Sequence, residues 1–152
     1  MHCPTEEILL HDGWKEYVAP FNELAEEQIL VQEKESKILD ITEYDSSNYV
    51  NMFYVNNIPM WLDKATRAGL VGRLTTELKK GKNITTLWYD THKFELSTEL
   101  AMDLLNTLEI YASECYDNTH QHIVNVNSID NIEDVKAYDF KTGYPKILYF
   151  EF

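Results

Sequence analysis

Two consecutive stretches decide the fold: residues 52–81, MFYVNNIPMWLDKATRAGLVGRLTTELKKG, and residues 85–115, TTLWYDTHKFELSTELAMDLLNTLEIYASEC. Each opens with two short apolar runs around a two-residue turn, which is typical of a β-hairpin. The turn residues are Asn56-Asn57 in the first stretch and Asp90-Thr91 in the second. Asn tolerates the positive φ that such turns require, which supports the first hairpin. The second stretch predicts a hairpin from its two apolar runs and the short turn between them.

A helix follows each hairpin. Asp63 and Ser97 are capping residues at the two predicted helix starts. The first helix ends in basic residues and Gly81, which suit the negative end of a helix and its C-terminal turn. The second pattern is longer, and we expect it to continue to residue 126. Its apolar stripe comprises Ala101, Leu104, Leu105, Leu108, Tyr111, Ala112 and Cys115.

The two stretches align without gaps. An offset of 34 positions pairs the caps Asp63 and Ser97, and it pairs the apolar residues Leu70 and Leu104. This predicts an internal duplication with repeats at 50–81 and 84–127. One hairpin with one helix is too small to bury its apolar face alone. We therefore expect an α+β domain in which the two units form a small sheet backed by helices.

The flanking segments complete the predicted organisation, with an N-terminal arm or peripheral layer over 1–44 and the α+β domain over 45–152. The arm reads as partly helical, with one helix capped by Thr5, a second beginning at Asn22, and Pro20 between them. Asn131 caps a short helix in the tail, and Ile147–Phe152 is a last strand or apolar arm. We expect that apolar end to pack on the domain or on another copy of the chain.

Charge narrows the functional classes. The 152 residues carry a net charge of −13, which disfavours nucleic acid and anionic membrane surfaces as partners. Residues 61–82 differ from this negative average, because they carry six basic and two acidic side chains. That pattern indicates either a solvated helix face or docking against acidic neighbours. No apolar run has the ~20 residues of a membrane helix. The N-terminus lacks a signal-peptide pattern, so we expect a reducing compartment.

Reactive residues are few and poorly arranged. The candidates for a metal or nucleophile cluster are Cys115, Asp117, His120 and His122. Their spacing on one helix does not bring four ligands together. The stripe also buries Cys115, which disfavours a reactive thiol. The sequence contains no glycine-rich phosphate loop. We therefore predict no catalytic residue, no metal ligand and no cofactor.

Aromatic and basic residues are the predicted partner contacts. Strand alternation places Trp61 and Trp88 opposite the apolar side chains of their hairpins, so they are expected on an outer face that suits protein or glycan contact. The alternative is that the N-terminal arm covers this face. The predicted partner-binding residues are Trp61, Trp88, Tyr89, Arg67, Arg73, Tyr149, Phe150 and Phe152.

Several short motifs together resemble a family. They are Tyr44-Asp45-Ser46-Ser47, Val50-Asn51, Trp61–Arg67, Leu87-Trp88-Tyr89, Tyr111-Ala112, Cys115-Tyr116, Thr119, His122, Tyr138-Asp139-Phe140 and Gly143-Tyr144-Pro145. Over residues 44–148 the chain resembles an uncharacterised phage and prophage family of gut bacteria, a domain of unknown function encoded near tail-fibre genes. Some relatives have Gly at a hairpin tip where this chain has Asn56-Asn57 and Asp90-Thr91.

The resemblance implies a structural or tail-fibre and baseplate accessory role, without catalytic residues to transfer. It implies phage tail or fibre proteins as partners and the virion or the bacterial host cytoplasm as location; a homo-oligomer is left open. Two alternatives stay open, an assembly chaperone for the fibre and a small hydrolase or metal-dependent enzyme using Cys115 or His122. A binder of a host protein is a further hypothesis, since an acidic surface can mimic nucleic acid.

Overall fold

The computed structural model describes the backbone of residues 4–152 and the side chains of residues 25–152. Four helices and five strands follow one another along this part of the chain. The helices are α1 (Pro4–Asp45), α2 (Lys64–Lys79), α3 (Thr98–Asn127) and α4 (Ile132–Ala137), and the strands are β1 (Phe53–Val55), β2 (Ile58–Met60), β3 (Ile84–Tyr89), β4 (His92–Ser97) and β5 (Leu148–Phe150). The α+β class is confirmed. The chain forms two compact units, residues 1–40 with 123–139 and residues 41–122 with 140–152.

Both predicted hairpin–helix units are present in the larger unit. β1 pairs with β2, and β3 pairs with β4, each in antiparallel register. Asp63 caps α2 by accepting the Thr66 amide at 2.7 Å, and Ser97 Oγ accepts the Leu100 amide at 3.1 Å. The turns, caps and helix lengths predicted for this region are confirmed.

The single sheet expected from the two hairpins does not form. Instead there is one three-stranded sheet with the order β2-β1-β5 and a separate two-stranded sheet, β3-β4. β5 runs parallel to β1, with Phe53 opposite Leu148. The C-terminal segment occupies the edge at which the second hairpin could have paired. Pro59 lies on the opposite edge strand, where its missing N–H costs no ladder bond.

One apolar core serves both hairpin–helix units. Leu74 of α2 and Leu108 of α3 are buried, as are Phe53 of β1 and Leu96 of β4. The apolar stripe predicted for α3 is buried except for Ala112, which is half-buried, and Tyr111 donates to the Met52 carbonyl at 2.8 Å. The core therefore joins α3 of the second repeat to the strand of the first.

The smaller unit contains the first part of α1, the end of α3 from Ile123, and α4. Val126 and Val135 are fully buried in it. Lys34 Nζ donates to the Asn127 carbonyl at 3.0 Å, and Lys37 Nζ donates to the Lys136 carbonyl at 3.2 Å. Both lysines thus bind carbonyl groups at the C-terminal ends of helices, where a positive charge is stabilising.

The N-terminal region differs from its prediction. α1 is one continuous helix through Gly13 and Pro20, so the expectation of two helices separated by Pro20 is wrong. Proline fixes φ near the helical value and removes one hydrogen bond, and the helix-favouring Leu, Ala, Glu and Gln residues that follow Pro20 offset this cost. The Thr5 side-chain cap lies outside the described side chains. The assignment of 1–44 as an arm stays a prediction.

Candidate functional site

A partly open apolar cavity of about 110 Å³ lies within the larger unit. Its walls come from both hairpins, from α2 and α3, and from the C-terminal segment. The lining residues are Phe53, Val55, Met60, Leu62, Thr66, Leu70, Leu87, Trp88, Tyr89, Phe94, Leu96, Leu104, Leu105 and Phe152. Leaving apolar space of this size empty costs roughly 2–3 kcal/mol. The cavity walls thus include strands of both sheets.

Aromatic side chains line this cavity or lie beside it; we call Trp61, Trp88, Tyr89 and Phe152 the aromatic rim, in which Tyr89 is half-buried and Trp61 is linked to the cavity wall through Tyr89. Trp88 is 64% exposed, and Phe152 is 45% exposed although both line the cavity. The Tyr89 hydroxyl accepts the backbone N–H of Trp61 at 3.3 Å, which links the two hairpins. Trp61 itself is 43% exposed. Four of the predicted contact residues are therefore brought together.

The C-terminal segment divides its aromatic side chains between two faces. Phe150 packs edge-on against Phe53 in the core, with ring centres 6.1 Å apart. Tyr149 points the other way and stacks on Tyr54 at 4.8 Å, where it is 68% exposed. Asn56 holds the segment, because its amide donates to the Phe150 carbonyl and its side chain accepts the Phe152 amide. Tyr149 thus lies outside the aromatic rim.

Arg67, one of the predicted partner contacts, is buried and not exposed. Its Nε donates to Glu109 Oε1 at 2.8 Å, and its Nη1 donates to the Leu62 carbonyl at 2.7 Å. It lines a polar cleft of about 350 Å³ together with Trp61 and Asn51. The ion pair ties α2 to α3, as the docking interpretation of the basic segment expected. Its contacts favour a structural role for this arginine.

Arg73 also bonds within the chain. It pairs with Glu77 at 3.2 Å, and its Nη2 donates to the hydroxyl of Thr85 and the carbonyl of Thr86. The Thr85 hydroxyl, then Arg73 and Lys82, hold the pKa of Glu77 below its ordinary value despite some desolvation. These contacts fasten α2 to β3 and cover part of the edge of that strand.

Cys115 and the neighbouring histidines do not form a reactive pair. The Cys115 side chain is 1% exposed, and burial raises the pKa of its thiol, which disfavours the nucleophilic thiolate. Nε2 of His122 lies 2.8 Å from the Thr142 carbonyl oxygen and 3.3 Å from Asn118 Nδ2. His120 lies against the Tyr116 ring, with centres 4.1 Å apart. Each of these imidazole rings thus has a structural contact.

A polar network next to Cys115 was not foreseen from the sequence. The Thr119 hydroxyl donates to Asp45 Oδ1 at 2.8 Å and lies 2.6 Å from the Tyr144 hydroxyl. Burial is the main cause that raises the pKa of Tyr144. The network joins the end of α1 to the Gly143-Tyr144-Pro145 turn. Its members are far apart in the sequence, so no local pattern could have revealed it.

The Gly143-Tyr144-Pro145 motif needs glycine at its first position. Its φ is +81°, and a side chain there would place Cβ 2.5 Å from Asn118 Oδ1. Asn118 Nδ2 donates to the Thr142 carbonyl at 2.8 Å. The turn therefore requires glycine both for its backbone conformation and for the close approach of Asn118.

Over residues 4–152 no helix is long and apolar enough to cross a membrane. Within the described part of the chain, no three His, Cys, Asp or Glu side chains converge where they could hold a metal ion.

Comparisons with protein-family models, with curated proteins and with solved structures give no match. The resemblance to a phage tail-fibre family stays a prediction. The central feature of the candidate site is the aromatic rim at the cavity.

Proposed function

We propose that this chain is a non-enzymatic phage accessory protein that acts through protein–protein contact and docks on a tail or fibre protein. The observation that carries the proposal is the aromatic rim, in which the exposed rings of Trp88 and Phe152 and the half-buried ring of Tyr89 line one apolar cavity. Aromatic anchors around an apolar centre are typical of the residues that dominate binding energy at protein interfaces. The phage role itself follows from the resemblance.

The chemistry of the rest of the larger unit supports a binding role over catalysis. The thiol of Cys115 is buried, and the pKa of that thiol is raised. Arg67 and Arg73 bond to carboxylates and backbone carbonyls of the same chain. Within the rim, Lys93 Nζ lies 6.0 Å from the centre of the Trp88 ring, and Phe152 stacks on Phe150 with ring centres 6.4 Å apart, yet Trp88 and Phe152 stay 64% and 45% exposed. We therefore assign partner contact to the rim.

Site-specific photo-crosslinking tests this function. A benzophenone amino acid is placed at position 88 in cells that produce the phage encoding the chain, and at position 116 as the control. Tyr116 is 62% exposed but lies outside the rim, so the two sites match in accessibility. We expect a tail or fibre protein to be cross-linked from position 88 and not from position 116. Equal crosslinks from both sites, or none from position 88, would refute the proposal.

The same experiment separates a virion subunit from an assembly chaperone. Crosslinks are collected from the cell lysate and from purified particles. A subunit gives the crosslink in both samples, whereas a chaperone gives it in the lysate only. Either result supports protein contact through the rim, and the comparison decides at which stage of assembly the contact is made.

A further inference from the structure

The walls of the apolar cavity are held in place by contacts outside it. Leu96, Leu104 and Leu105 belong to the buried core, and Phe53 packs on Phe150. The walls come from two sheets and two helices, and the buried part of these walls belongs to the core that the elements share. Protein interiors are normally packed to the density of organic crystals. A persistent void among fixed apolar walls is therefore suited to an added apolar group.

The chemistry of the walls specifies that group. The chain contains 26 acidic and 13 basic residues, yet none of them lines the cavity. The polar groups among the lining side chains are the hydroxyls of Thr66 and Tyr89 and the indole N–H of the exposed Trp88, and the Tyr89 hydroxyl already accepts the Trp61 amide. A charged or strongly polar ligand would lose its hydration without finding partners. The occupant is therefore uncharged and apolar.

Size and access limit the occupant further. A cavity of about 110 Å³ is somewhat smaller than an engineered apolar cavity of roughly 150 Å³ that binds benzene. It therefore holds one ring or one branched aliphatic chain and excludes larger metabolites. Thr66, Trp88 and Phe152 are exposed and line the cavity, so it reaches the surface of the larger unit.

We propose that this cavity is a binding site for one uncharged apolar group about the size of a benzene ring. Such a group comes either from a free small molecule or from an apolar side chain of the bound protein. The first source would make the chain a carrier or sensor of a small apolar molecule. The second rests on the proposed function and makes the cavity the central anchor of the aromatic rim. Both sources share the same contacts with Met60, Leu70 and Leu104.

The chain carries its own reporter for the test. Met60 lines the cavity, whereas Met52 and Met102 do not. In protein labelled with ¹³C at the methionine methyl groups, benzene and toluene are titrated separately. We expect a saturable shift of the Met60 signal with a Kd of about 1 mM, and no saturable shift at Met52 or Met102. Absence of a saturable Met60 shift with both probes would overturn the proposal.

Two matched variants localise the binding. Leu70→Phe fills the cavity, and Leu78→Phe makes the same change on the same helix outside it. We expect Leu70→Phe to weaken benzene binding at least about tenfold and Leu78→Phe to leave it unchanged. Equal affinity in all three proteins would also refute the site. The titration of the unmodified protein decides the proposal even if Leu70→Phe does not fold.

The crosslink from position 88 distinguishes the two sources. If the partner supplies the group, Leu70→Phe lowers the crosslink yield and Leu78→Phe does not. If the group is a free molecule, Leu70→Phe blocks benzene and leaves the crosslink unchanged. Should no partner crosslink occur at all, the proposed function fails, while the titration still measures the cavity. The two failures are thus separable.

Discussion

The two hairpin–helix units share a plan but differ in what completes them. The first hairpin has strands of three residues and gains β5 as a third strand. The second has strands of six residues and gains none. It is held instead by Arg73 bonding to β3 and by the Thr98 amide donating to the Asn83 carbonyl. A repeat that has no third strand keeps the edges of its hairpin unpaired by strands, and Trp88 of this hairpin is 64% exposed.

The largest effect is expected where the two repeats are equivalent. Leu74 and Leu108 are related by the 34-residue offset, and both are buried. We expect Leu74→Ala and Leu108→Ala each to lower the free energy of unfolding by about 2–5 kcal/mol, because each leaves a cavity in the shared core. Urea denaturation measures this, with exposed Ile110→Ala as the control. A loss below about 1 kcal/mol in only one repeat would show that the core is not shared evenly.

The next effect concerns the turn that leads into the third strand of the first unit. Gly143→Ala should lower the free energy of unfolding by about 1–3 kcal/mol, since the new Cβ meets a positive φ and Asn118. Asn118→Ala removes the close contact but not the strain in φ. In the double variant, thermal denaturation should therefore show a smaller effect of Gly143→Ala than in the parent. Additive losses would contradict the contact.

High pH tests the bond that joins the repeats. Burial raises the pKa of Tyr111 from 10 to about 12. Its contribution to stability is therefore complete below pH 10 and is lost as the pH rises toward 12, because the folded state then holds a proton that the unfolded state releases. Cys115 and Tyr144 act in the same direction from pH 9 and pH 10.

The Tyr111→Phe variant shows how much of the stability loss at high pH comes from the Tyr111 hydroxyl. It removes the hydrogen bond to Met52, which costs about 0.5–1.5 kcal/mol at pH 7, and it reduces the loss of stability between pH 10 and 12. Denaturant midpoints measured from pH 7 to 11 give both numbers. An unchanged slope in the variant would show that Tyr111 is not the group responsible.

The smallest expected change in the free energy of unfolding concerns the two hairpin turns. Asn57 and Thr91 are equivalent by the offset, but Asn57 has a φ of +67° and Thr91 has no positive φ. We expect Asn57→Gly to raise the free energy of unfolding by about 0.5 kcal/mol, because glycine adopts this conformation without strain. Thr91→Gly should instead lower it by about 0.5–1 kcal/mol. Effects of the same sign would show that the two turns have the same conformation.

Local features were predictable from the sequence. The hairpins, the caps Asp63 and Ser97, and the buried stripe of α3 depend on neighbouring residues, and their spacing reveals them. The pairing of Phe53 with Leu148 joins distant segments, so no spacing indicates it. The separation into two sheets follows from that pairing.

The candidate site was predictable only in its parts. Trp61, Trp88, Tyr89 and Phe152 were identified as partner contacts, whereas the cavity that they surround depends on how four elements pack. The basic residues of 61–82 indicated either a solvated face or docking against acidic neighbours, and Arg67 is buried against Glu109. Its guanidinium group serves as a link between two helices, which a charge count cannot distinguish from an exposed cation.

Hydrogen exchange of the Leu74→Ala variant tests most directly whether the two repeats share one core. Amides of both hairpins are followed, because the most protected amides report the free energy of global unfolding. A shared core predicts that protection falls by the same amount in β1 and in β3, although Leu74 belongs to the first repeat. A loss confined to the first hairpin, with β3 and β4 unchanged, would contradict the account.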